Sequence, residues 1–219
     1  MKLTLKSIIR NVKSIKGNSL AEFATTTALM ATLAATAAPK LSEMSEGTKA
    51  EKSKNEIDKI LTQARNHYQD TADSEGRGRF PGQEKFDVPV GDYGVQRGTQ
   101  TEAITAQDLL LADMAVWTEY DHATGAKWRS VFGVDATSPT GLKVTNDTND
   151  ATCGTCAPHT GHEEWIERFG GNSLYSQYQD GHFAYAVIPG GGSGSSAFPP
   201  VLYVVDIENA SNFNNVIEP

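Results

Sequence analysis

Acidic residues are missing from the first 17 positions of this 219-residue chain, cysteine occurs only twice, and the common catalytic signatures are absent. Each gap removes a class of function. The opening stretch, MKLTLKSIIRNVKSIKG, holds Lys2, Lys6, Arg10, Lys13 and Lys16 with no acid among them. Setting those five cations aside takes the formal charge from −8 to −13 for residues 18–219. So acidic a body lacks the Lys/Arg excess that phosphate binding rests on, and no nucleic-acid partner is expected. G-x-S-x-G, a Walker loop and H-E-x-x-H are all missing. His67 and His122 have no nucleophile beside them in sequence, so a non-enzymatic role is expected. No internal repeat is evident. Charged residues make up 21 % and apolar ones 38 %, which suits a soluble globular bulk.

What is present begins with that basic start and the apolar stretch after it. Together they form an export pattern that also obeys the positive-inside rule. No charge falls between Phe23 and Ala38, and seven of these residues are Ala and five Thr. A bilayer span takes about 20 apolar residues, so the segment counted from Leu20 is near the lower limit. Glu22 weakens it further. An acid at the centre of a span costs about 3 kcal/mol on insertion scales, less near an end, and such a group normally has a partner.

Two readings of this stretch compete. Ala35-Thr36-Ala37 matches an A-x-A signal-peptidase site, with cleavage after Ala37. That reading leaves Glu22, the threonines and Pro39 unaccounted for. Cleavage after Gly17 would instead give Asn18 a free α-amine. Glu22 stands one helical i,i+4 step from Asn18, so carboxylate and ammonium neutralise each other, within one chain or between staggered neighbours.

Gly17, Glu22 and Pro39 together resemble the type IV pilin and type II secretion pseudopilin family. Its leader is short, basic and ends in Gly. Its mature chain has Glu at the fifth position and commonly Pro at the twenty-second, the places of Glu22 and Pro39 counted from Asn18. Two departures stand out. Asn18 replaces the usual Phe or Met, and the apolar run is Ala/Thr-rich rather than Ile/Leu/Val-rich. "LAEF" is also similar to the shorter Flp/Tad pilins. The resemblance implies cleavage at Gly17–Asn18 by a prepilin peptidase, N-methylation of Asn18, and assembly through Glu22 and Pro39. It also implies an inner-membrane anchor before assembly, then a periplasmic or extracellular filament. Partners would be identical or related subunits, the membrane and the inner-membrane assembly machinery.

Past the apolar run, Pro39 lacks an N–H and crowds the carbonyl of Ala35, so a kink is expected there. Gly47 weakens the helix by about 1 kcal/mol relative to Ala. The segment 39–47 is therefore expected to be the soft part of the helix, and the resemblance implies that it loosens on assembly. Ile57, Ile60, Leu61, Ala64 and Tyr68 then fall on one helical stripe, predicted to pack under a globular head. Glu51, Lys52, Lys54, Glu56 and Lys59 lie mostly off it, as a solvated face or as contacts between subunits. Gly76, Gly78, Pro81 and Gly82 break the helix. "GRFPG" adds a second likeness to pseudopilins.

The expected division is a leader 1–17, an apolar helix 18–39, an amphipathic helix 40–70 and a head 71–219. Within the head, residues 105–120 read as a helix capped by Thr105. "KWRSVFGVD" and "GLKVTND" read as strands joined by a turn, and "HFAYAVIPG" and "PVLYVVDIE" as stronger ones. "GGSGSSAFP" between the last two is a flexible connection. The fold class expected is α+β, a long N-terminal α-helix packed against a C-terminal antiparallel-sheet head, pilin-like.

The densest polar cluster is 146–165. Cys153, Cys156, His159 and His162 have the chemistry of zinc ligands, although they are closer together than the common finger spacing allows. An exported Cys pair usually oxidises, so a Cys153–Cys156 disulfide is favoured, with a stabilisation of about 2 kcal/mol for so short a loop. Asn146, Asp147, Asn149 and Asp150 offer oxygens suited to calcium. The resemblance supports that, since major pseudopilins often bind calcium in a head loop. EF-hand spacing is absent, however, and an Asx-rich turn is the simpler reading. Asn146-Asp147-Thr148 and Asn209-Ala210-Ser211 fit the glycan sequon. The reading that unites most features is a structural filament subunit. Its competitor is a secreted binding protein or small metal-dependent enzyme, cleaved after Ala37 and using the Cys/His cluster.

Overall fold

A computed structural model describes residues 5–118, 123–132, 161–178 and 182–219. The element order is α1 (Leu5–Glu75), α2 (Gln100–Val116), a 3-10 turn (Ala123–Lys127), β1 (Arg129–Ser130), α3 (His162–Arg168), β2 (Phe183–Ile188), a 3-10 turn (Gly194–Ser196), β3 (Val201–Asp206) and β4 (Asn214–Ile217). The four strands form one antiparallel sheet in the order β1-β2-β3-β4. The fold is the expected α+β arrangement of a long N-terminal helix and a C-terminal antiparallel sheet.

Contacts divide the chain into two compact units, 1–48 and 49–219. The first is wholly helical from Leu5 onward and stays so through Pro39 and Gly47. The softening expected at 39–47 therefore does not end the helix. Proline removes one backbone donor, and a long helix can carry it as a local distortion rather than a stop.

The second unit has three layers. Every residue of β2 and β3 is buried, so neither strand has a solvent face. The period-2 alternation of a strand sends its side chains to two different partners. Phe183, Tyr185, Val187, Leu202 and Val204 join Ile57, Ile60, Leu61 and Ala64 of α1, with Phe80, Trp165 and Ile217, in one core. Ala184, Ala186, Ile188, Val201, Tyr203 and Val205 join Ala106 and Leu110 of α2, with Tyr93, Trp117 and Trp128, in the other. The stripe expected on α1 is thus the face that meets the sheet, and each fully buried aliphatic side chain in it stabilises by about 1.5–3 kcal/mol. The aromatic residues stack edge-on, with Trp165 and Tyr185 centroids 5.3 Å apart and Trp117 and Trp128 5.7 Å apart.

α1 ends where Gly76 turns left-handed, at φ 80°, and its amide donates back to the Ala72 carbonyl at 3.0 Å. This is the αL stop that glycine permits. α2 begins earlier than expected. Its cap is Thr99, not Thr105: the Thr99 side chain accepts from the Glu102 amide, and Glu102 accepts in turn from the Thr99 amide. This reciprocal capping box satisfies two terminal donors. Thr105 instead lies inside the helix and donates to the Thr101 carbonyl at 2.9 Å.

The two strong strands form where expected. Of "KWRSVFGVD", residues 127–132 are described: Lys127 belongs to the preceding 3-10 turn and Arg129–Ser130 is a strand. "GLKVTND" lies outside the described residues. α3 and β4 had no counterpart among the expected elements.

Candidate assembly and ligand sites

The assembly residues are all carried by α1. Gly17, Asn18, Glu22 and Pro39 lie in its helical backbone. From Leu20 to Glu75 the helix is long enough to cross a membrane, and its most apolar 18-residue window has a mean hydropathy of 1.2. In this segment Leu20 is 75 % exposed, Phe23 69 % and Met30 69 %. The threonines that dilute its hydrophobicity direct their hydroxyls inward along the helix. Thr25 and Thr26 donate to the Glu22 carbonyl at 2.9 and 3.0 Å, Thr32 to Leu29 at 2.8 Å and Thr36 to Thr32 at 3.0 Å. Thr27 donates to the Phe23 carbonyl. Such i−3/i−4 bonding leaves each hydroxyl satisfied without water, which lowers the cost of placing this composition in an apolar medium.

Of the proposed metal ligands, only His162 is described. It opens α3 and is buried. Cys153, Cys156, His159, Asp147, Asn149 and Asp150 lie outside the described residues, as does Asn146. Among the described residues, no group of three or more His, Cys, Asp or Glu side chains is placed to hold a metal ion.

Two polar arrangements were not foreseen. The first is Asp206 at the end of β3, fully buried. Its Oδ2 accepts from the Ser53 hydroxyl of α1 and from the Ser176 hydroxyl, each at 2.6 Å, and its Oδ1 accepts from the Glu208 amide at 3.2 Å. Burial raises its pKa above the usual carboxylate range, and the two serine hydroxyls act against that rise. Ser53 lies four residues before Ile57 and seven before Ile60, so α1 delivers a hydroxyl from within its apolar stripe. That spacing was the available signal. The three side chains form a buried polar clasp between α1, β3 and the 176 loop.

The second lies between α1 and α3. A polar cleft of about 480 Å³ is lined by Gln63, His67, Glu164, Glu167 and Arg168. Arg168 pairs with Asp70, and Arg79 bridges Glu75 at 3.1 Å and Glu164 at 2.9 Å. The other Glu164 oxygen accepts from the Gly82 amide at 2.6 Å. His67 is only 5 % exposed, and among the described residues neither ring nitrogen has a hydrogen-bond partner. Burial lowers its pKa to about 4; Glu164 and Asp70 oppose the shift, while Arg168 and Arg79 add to it. The spacing Ile60, Ala64, His67, Thr71 puts His67 on the buried side of the helix, which the sequence does contain.

On the α2 side, Asp113 accepts from Tyr93 Oη at 2.9 Å and Lys127 Nζ at 2.6 Å, and Trp128 Nε1 donates to Tyr93 Oη at 3.2 Å. Burial, and then Asp113, push the Tyr93 phenol above its ordinary pKa. The phenol donates to Asp113 and so ties Tyr93 to α2.

No protein-family model, curated protein or solved structure matches the chain. The arrangement by itself defines a class: an N-terminal helix long and apolar enough to enter a membrane, joined in one chain to an antiparallel-sheet domain, a layout compatible with pilin-like subunits.

Proposed function

We propose that the chain is a structural subunit of a type IV pilus-like or type II secretion pseudopilus filament, processed after Gly17 and assembled through its N-terminal helix. The observation that carries this reading is the exposed apolar surface of Leu20, Phe23, Leu29, Met30 and Leu33 on a helix with Glu22 near its start. Side chains of that kind call for an apolar surrounding, first lipid and then sister helices. Glu22 supplies the register by meeting the α-amine of Asn18 on a neighbouring copy. A charge pair in an apolar bundle is strongly position-dependent, because an unpaired carboxylate there is costly. The threonine hydroxyls, already bonded to their own helix, add little polar cost. In this role the chain binds related subunits, the prepilin peptidase and the assembly machinery. It passes from the inner membrane to a periplasmic or extracellular filament.

Mass spectrometry of the exported protein tests the processing step: a mature chain beginning at Asn18 is expected, and one beginning at Ala38 rules the reading out. Glu22→Ala is expected to abolish or strongly reduce filaments while leaving the melting of 49–219 unchanged. Normal filament yield in that variant contradicts the register role.

A further inference from the structure

Buried polar groups nearly always find a hydrogen-bond partner, so a buried imidazole without one marks a place where a ligand can supply it. His67 is in that state: among the described residues neither ring nitrogen is bonded, and the ring lines the polar cleft of about 480 Å³ between α1 and α3. Two further side chains in the same cleft are uncommitted. Gln63 stands one helical turn before His67 on the same face of α1, and Glu167 comes from α3. Neither side chain enters a hydrogen bond or ion pair among the described residues. The other charges are already matched. Arg168 pairs with Asp70, Arg79 with Glu75 and Glu164, and the second Glu164 oxygen takes the Gly82 amide.

The three uncommitted groups share one property, which is that each can accept. A carboxylate accepts at both oxygens, a side-chain amide at its carbonyl, and a neutral imidazole at one nitrogen. Burial lowers the His67 pKa to about 4, so the ring is neutral at ordinary pH. Charge favours the same kind of ligand. In this connected set four carboxylates, Asp70, Glu75, Glu164 and Glu167, stand against two guanidiniums, Arg79 and Arg168. The excess is negative and draws a cation. Three acceptors suit a cation with three donors. A metal ion fits the donor set less well, since no group of three or more His, Cys, Asp or Glu side chains is placed to hold one among the described residues.

We propose that this cleft is a binding site for a primary ammonium group, held by the Glu167 carboxylate, the His67 imidazole and the Gln63 side-chain carbonyl. No covalent bond changes. Glu167 supplies the opposite charge, and charge-assisted hydrogen bonds are the strong ones. His67 and Gln63 supply selectivity. Their lone pairs reward a head with N–H donors over a cation of equal charge that has none. A small amine and a lysine side chain of a second copy both carry this chemistry.

The test uses the full chain in detergent at neutral pH, labelled with 15N-histidine and read by NMR, with n-butylammonium as the probe. The unprotonated ring nitrogen of His67 is expected to shift saturably as it accepts a hydrogen bond. Tetramethylammonium, with the same charge and no N–H, is expected to leave it in place. Glu167 is exposed, so Glu167→Gln tests the charge without disturbing the core. That variant is expected to bind n-butylammonium about tenfold more weakly, or worse. No saturable shift with n-butylammonium, an equal shift with tetramethylammonium, or an unchanged affinity in Glu167→Gln each overturns the proposal. The source of the group is read in the same experiment. A His67 shift on concentrating the chain alone, lost when its lysines are acetylated, assigns the ammonium to a second copy, and a shift that needs added amine assigns it to a small ligand.

Discussion

Two stretches of α1 treat their apolar residues in opposite ways. Between Leu20 and Met44 they stand in the open, while Ile57, Ile60 and Ala64 are sealed against the sheet. The difference lies in what surrounds them in sequence. Ile57, Ile60, Leu61 and Ala64 form a single stripe flanked by Glu, Lys and Asp, so the helix has one face for the core and another for water. Phe23–Ala38 has no charged residue at all, so no face of it is suited to water. A helix segment of that kind calls for an apolar surrounding, which is the physical basis of the filament reading.

Paired substitutions break this comparison most sharply. Trp165→Ala empties a fully buried site and is expected to cost about 3–5 kcal/mol. Ile60→Ala, on the sealed stretch, is expected to cost about 2–5 kcal/mol. Leu33→Ala, on the open stretch, should stay within about 0.5 kcal/mol in the same thermal melt of 49–219. An equal loss from Ile60 and Leu33 would contradict the division. Next in size is Asp206→Ala, which leaves the Ser53 and Ser176 hydroxyls without their acceptor. A loss of about 2–4 kcal/mol by denaturant melting is expected, from a penalty of about 1–3 kcal/mol for each group left unsatisfied. Smallest is Thr99→Ala, at about 1 kcal/mol for a lost helix cap. Thr105→Ala should leave the melting temperature nearly unchanged, and the pair together locates the true start of α2.

The layers were legible to the extent that periodicity encodes them. The α1 stripe and the continuous apolar runs of 183–188 and 201–206 were plain. A run without alternation already signals a strand covered on both sides. α2 was recognisable but misplaced, since Thr105 sits just before Ala106 and Leu110 and looks like a start. The actual cap depends on a reciprocal Thr99–Glu102 pair that a search for the first apolar residue passes over. β4, "NNVI", is too short and too polar to announce itself, and only its pairing with β3 makes it a strand. α3 was obscured because His162 read as the last member of a ligand cluster. Helical spacing puts Ser53 and His67 on the buried side of α1, but neither Asp206 nor His67 stands out as a site, because each is a single polar residue in an apolar pattern. Their meaning comes from Ser53 and Ser176 in one case, and Arg79 and Glu164 in the other, which folding brings from distant positions.

The last strand is guarded against pairing with another sheet. In β4 the Val216 amide donates to the Asn215 side chain at 2.8 Å, and the Asn215 amide group reaches back to Asp58 of α1 at 2.9 Å. An outer strand normally invites a stranger to zip onto it. Here one of its donors is already occupied by its own neighbour and the strand is fastened to the helix. Edge-to-edge pairing of β4 with another sheet would first have to break that fastening.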